Sequence, residues 1–145
     1  MRPSKFFTRE QKARILEALC NAEENTSGEI RVHVERSCIG EPTDRAAYLF
    51  EKLSMQKTNL RNGVLIYMSY DDRKIAILGD AGINAVVPEN FWDSTLELIS
   101  ARFREGDFVG GLEAGITEAG NHLKNHFPHR PDDINELPYE ISFGD

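Results

Sequence analysis

The stretch "RNGVLIYMSYDDRKIAILGDAGIN", Arg61 to Asn84, decides how the rest of the chain is read. "VLIYMSY" is an unbroken apolar run of strand length, as expected of a strand covered on both faces. "RKIAIL" is a second run, and Asp71 and Asp72 form the short turn between them, so the two make an antiparallel hairpin. The second strand ends on Gly79, the lone acid Asp80, Gly82 and Asn84. A carboxylate set between two glycines where a strand stops asks for a partner.

Upstream, Thr8 and Gln11 have capping-box spacing, and Ile15, Leu16, Leu19 and Ala22 recur on one helical face, predicting a helix from about Thr8 to Asn25. Ile30, Val32 and Val34 alternate with Arg31, His33 and Glu35, predicting a strand over residues 29–36. Thr43 is placed to cap a second helix carrying Ala46, Ala47, Leu49, Phe50 and Leu53. Downstream, Pro88 suits the first turn of a third helix with Phe91, Trp92, Leu96, Ile99 and Phe103. After a break at "EGD", a fourth helix keeps Phe108, Leu112, Ile116, Ala119, Leu123 and Phe127 on one face. Its glycines, each costing about 1 kcal/mol against alanine, imply close packing of helix on sheet. The tail from residue 128 is acidic and proline-containing, although "YEISF" alternates and suits an edge strand. The order predicts an α/β fold: a three-layer α/β/α sandwich on a small mixed β-sheet of about four strands, one domain over residues 1–145 with its core at about 6–127.

The formal charge of -7 opposes nucleic acid or an anionic membrane as the main partner and favours cations. There is no apolar run of spanning length and no signal-peptide h-region, so the expectation is no membrane insertion by this chain and a cytoplasmic location. Two cysteines, Cys20 and Cys38, make no disulfide scaffold and read as reduced thiols.

In order along the chain, "TSGEIRVHVE", the Arg61–Asn84 stretch, "FREGDFVGGLEAGI" and "HFP" resemble the TPM domain family, and the closing "DDINELPYEISFG" resembles the tail of a bacterial subgroup in which the domain stands alone. The resemblance implies an α/β/α sandwich. It also implies either acid phosphatase activity, as described for chloroplast members, or divalent-metal binding. Many members carry a signal peptide and a membrane helix; neither is visible here. The "GDAGIN" loop is one residue longer than the usual family glycine turn.

If the first two strands run parallel through a right-handed crossover, Glu29 and Asn62 stand at their starts, and the antiparallel third strand returns Asp80 to the same rim. Hard cations take oxygen ligands from several segments, about six to eight of them for calcium. The candidate metal set is Glu29, Asp80, Asn84 and Asp107, with carbonyls at Gly79 and Gly82 turned inward. The family tail adds Asp133 and Glu136, which otherwise read as solvated acids. The plain alternative for Asp80 is an Asx bond capping the turn or the next helix. The expected ion is Ca2+ or Mg2+, its occupancy ordering surface loops that present a face to an unidentified protein partner.

A metal-dependent acid phosphatase acting on phosphomonoesters and a metal-independent interaction module are the alternatives. A cysteine-phosphatase loop fails on spacing, because position 44 after Cys38 is Asp44, with Arg45 one residue late. "YDDRK" offers paired acids beside Arg73 and Lys74, but on a hairpin turn without a helix N-terminus to hold the anion.

Overall fold

Thr8 caps the first long helix as its spacing predicts. Its hydroxyl accepts the Gln11 N–H at 3.1 Å, and the Gln11 side chain accepts the Thr8 N–H at 2.9 Å. Such a cap is worth about 1 kcal/mol. In the computed structural model, which describes residues 1–130 and 140–145, this helix is α2 (Arg9–Glu23), preceded by a single turn, α1 (Pro3–Phe6). The chain continues through β1 (Glu29–Glu35), α3 (Pro42–Lys52), β2 (Gly63–Ser69) and β3 (Lys74–Gly79). It then forms a single turn, α4 (Ala81–Asn84), followed by α5 (Asp93–Arg104), α6 (Phe108–Lys124) and β4 (Ile141–Phe143).

The sheet order is β3-β2-β1-β4. β1 pairs parallel with β2 from Glu29 opposite Gly63 to Glu35 opposite Ser69, and β3 returns antiparallel along β2. The "YEISF" segment does add an edge strand, parallel to β1 at Val32, His33 and Val34. Helices cover both faces. On one, α2, α5 and α6 pack Leu19, Ile99, Phe103 and Leu112 against Ile30, Val32, Val64 and Ile66. On the other, Ala46, Leu49 and Phe50 of α3 meet Leu65, Tyr67 and Ala76. Burying each such Leu, Ile, Val or Phe side chain is worth about 1.5–3 kcal/mol.

Several local expectations shift. Pro42 rather than Thr43 opens α3, because a residue with fixed φ and no N–H fits the first helical position; the cap itself is Glu41, without a side-chain bond. Pro88 lies outside α5: the Phe91 N–H bonds the Pro88 carbonyl at 3.1 Å in a turn, and the helix starts at Asp93. Gly111, Gly115 and Gly120 of α6 pack helix on helix. A Cβ at Gly115 would come within 2.4 Å of Ile99 Cδ1, and one at Gly120 within 2.8 Å of Ala22 Cβ. Finally, the polar alternation of β1 does not face water, for all seven of its residues are buried. Among the described residues no helix is long and apolar enough to cross a membrane.

Candidate functional site at the strand-start rim

Parallel pairing puts the starts of β1 and β2 side by side. The Glu29 N–H bonds the Asn62 carbonyl at 3.3 Å, and the Asp80 N–H bonds the Gly63 carbonyl at 3.0 Å, so β3 ends where β1 and β2 begin. The end of α6 closes on the same rim: the Phe127 carbonyl accepts the Ser27 N–H at 2.9 Å and also the Thr26 hydroxyl. Glu29 and Asp80 therefore share one rim, as the topology argument requires.

Asp107 does not join them. It caps α6, accepting the Gly110 N–H at 2.9 Å, with Arg102 Nη1 at 3.3 Å from its other oxygen. α6 runs 17 residues from that cap to the rim, about 25 Å at 1.5 Å per residue, so Asp107 stands at the opposite end of the molecule. The shared motif "FREGDF" marks a helix cap.

Asp80 is 6% exposed and fully engaged. Arg61 holds it with Nε to Oδ2 at 2.7 Å and Nη2 to Oδ1 at 2.9 Å, and Oδ1 also accepts the Ala81 N–H at 2.7 Å as the cap of α4. The carboxylate in turn pushes the Arg61 guanidinium above its ordinary value, through the hydrogen bonds first and the charge second. Asn84 donates to the Gly79 carbonyl at 3.1 Å, closing α4 onto the strand end. Neither Gly79 nor Gly82 has positive φ. Gly82 is there for approach: a Cβ would lie 2.0 Å from the Leu60 carbonyl oxygen, and its N–H bonds the Arg61 carbonyl at 2.8 Å. The glycine-flanked aspartate thus holds an arginine and a helix start. Asp133 and Glu136 lie outside the described residues.

The rim contains an acid that the motif reading passed over. Glu23, in the last turn of α2, is 9% exposed, and its Oε2 accepts the Ile30 N–H at 3.0 Å. Burial pushes its carboxyl up to about 8; the Ile30 N–H opposes this, and the negative charge of Glu29, itself 4% exposed, adds to it. The signal was present in the sequence. Ile15, Leu19 and Glu23 are spaced four apart, which sets an acid on the apolar face of a helix. Among the described residues no three His, Cys, Asp or Glu side chains come together as a metal-holding group.

The TPM domain family model matches residues 1–122. The chain belongs to the TPM domain family. Its fold is also that of solved relatives. The NMR structure of the BA42 protein from the psychrophilic bacterium Bizionia argentinensis is 47% identical, with a TM-score of 0.89 over 95% of each chain. The N-terminal domain of a P. gingivalis protein is 17% identical, with a TM-score of 0.68 over 88% of this chain and 83% of that one. The N-terminal domain of the cg2496 protein from Corynebacterium glutamicum is 12% identical, with a TM-score of 0.64 over 81% and 74%. No curated protein matches the chain. This TPM domain keeps the family sandwich, and its rim holds three buried acids: Asp80, paired with Arg61, and Glu23 and Glu29.

Proposed function

We propose that this TPM domain binds a divalent cation, calcium ahead of magnesium, at the rim where β1 begins. Glu23 and Glu29 supply the carboxylates, and occupancy changes the surface presented to a protein partner. The observation supporting this reading is the burial of two acids close enough for the charge of Glu29 to raise the carboxyl of Glu23. Two carboxylates in low dielectric repel one another, and either a proton or a metal ion relieves the repulsion. A bound cation supplies positive charge that holds both groups ionised; Glu23 then gives up its proton, and the loop joining α2 to β1 tightens. With only two carboxylates, carbonyls and water complete the shell, which places the affinity in the weak range of about 10⁻⁴ to 10⁻³ M. Asp133 and Glu136 remain further oxygen donors of this proposal. Asp80, already neutralised by Arg61, acts by shaping the loop.

Calcium and magnesium chloride titrations followed by amide chemical shifts test the reading. The expected result is saturable shifts concentrated at residues 23–30, lost in Glu23→Gln and Glu29→Gln. Shifts spread evenly over the acidic surface contradict it. Cation-dependent hydrolysis of p-nitrophenyl phosphate that disappears with the same substitutions would move the reading to the phosphatase class.

A further inference from the structure

β1 has two edges, and they are filled very differently. Toward β2 it pairs at seven positions, whereas toward β4 it pairs at three. The outer edge is finished instead by side chains. Arg31, His33 and Glu35 project alternately from β1, and each is buried. Alternate residues of the C-terminal segment meet them one for one. Arg31 Nη2 bonds Glu140 Oε1 at 2.6 Å, and His33 Nδ1 lies 2.6 Å from Ser142 Oγ. Gly144 packs on Glu35 so closely that a Cβ would come within 2.7 Å of Glu35 Cγ, while its N–H bonds the Val34 carbonyl at 3.0 Å.

The readers are themselves fixed. Arg45 Nη2 at 2.5 Å and Tyr67 Oη at 2.8 Å hold the Glu35 carboxylate, which takes the His33 Nε2–H at 3.1 Å. Burial, opposed by the hydrogen bond to Glu35, keeps the imidazole below its ordinary value. A neutral ring that donates from Nε2 must accept at Nδ1, so position 142 is read as a hydroxyl donor. Position 140 is read as an acid and position 144 as a residue without a side chain. Ile141 and Phe143 point the other way, into the main core.

We infer that the outer edge of β1 is a sequence-reading site for an extended peptide of the pattern acid, apolar, serine, apolar, glycine, added parallel to the strand, and that a second copy of this chain supplies it by exchanging residues 140–145. Strand addition gives affinity through the main chain and specificity through alternate side chains. The pattern occurs in the chain itself, so exchange remakes the same contacts between two copies at low cost. The resident strand is the shortest of the four and pairs with β1 at three positions.

The test uses the full chain carrying Gly144→Val, which displaces its own strand by the clash with Glu35, and a fluorescein-labelled peptide "EISFGD". Saturable anisotropy is expected, at least about tenfold weaker for peptides carrying S142V or G144V, since each leaves a buried reader unsatisfied or blocked. Where circular dichroism finds the Gly144→Val chain unfolded, a full chain with Arg31→Glu takes its place, and the peptide with E140K is expected to bind it better than the native one. No saturable binding, or equal binding of matched and mismatched peptides, overturns the site. Sedimentation of the native chain is expected to show a concentration-dependent dimer that Gly144→Val abolishes; a native chain that stays monomeric at millimolar concentration overturns the exchange.

Discussion

Arg61 grips Asp80 with two hydrogen bonds, Nε to Oδ2 at 2.7 Å and Nη2 to Oδ1 at 2.9 Å, so the carboxylate between the two glycines already has its cation. The arginine side chain is half exposed while the aspartate is buried, an asymmetry that fixes which substitution costs more. Arg61→Ala leaves a buried carboxylate with its helix-capping bond alone and is expected to lower the urea denaturation midpoint. Arg61→Lys restores part of that loss, because an ammonium cannot form the fork. In Arg61→Ala the affinity of the rim for calcium should rise as the charge of Asp80 is released. Unchanged affinity would place Asp80 outside the electrostatic reach of the site.

Glu23 makes the stability of the cation-free protein depend on pH in an unusual direction for an acid. Its folded-state carboxyl sits at about 8 against an ordinary 4.5, so between those values the folded chain holds a proton that the unfolded chain has lost. The stabilising contribution is complete below about pH 4.5 and fades as pH rises through about 8, a change of a few kcal/mol. Thermal unfolding across that window should show a decline that Glu23→Gln removes. Stability that rises with pH in the native chain, to the same extent as in Glu23→Gln, would refute the assignment.

Gly115 and Gly82 make two approaches that any side chain blocks. Gly115→Ala sets a Cβ against Ile99, a flexible neighbour, and should cost about 1–3 kcal/mol. Gly82→Ala meets the Leu60 carbonyl, which is backbone, and should cost more than Gly115→Ala. The reverse order in denaturant midpoints would mean that the loop over residues 60–61 yields more easily than the α5–α6 contact.

The chain order of elements was legible because apolar periodicity is a local signal, and the hairpin over residues 63–79 anchors it. Helix starts were less so. Pro42 and Thr43 both suit the start of a helix, and the fixed φ of the proline sets Pro42 at the first helical position. The rim was half legible: strand direction brings Glu29 and Asp80 together, but the length of α6 carries Asp107 away. What hid Glu23 was its lack of a motif. A single acid on an apolar stripe shows its significance only when β1 arrives beside it to offer the Ile30 N–H. Arg61 was hidden for the opposite reason, since its pairing with Asp80 crosses two strands.

The most direct test of the cation account is calorimetry of calcium binding near pH 7 in two buffers of different ionisation enthalpy. Since Glu23 carries a proton there and a bound cation needs the carboxylate, the account requires close to one proton released per ion bound, and none in Glu23→Gln. Calcium binding with no proton release, or with release unchanged in Glu23→Gln, would contradict it.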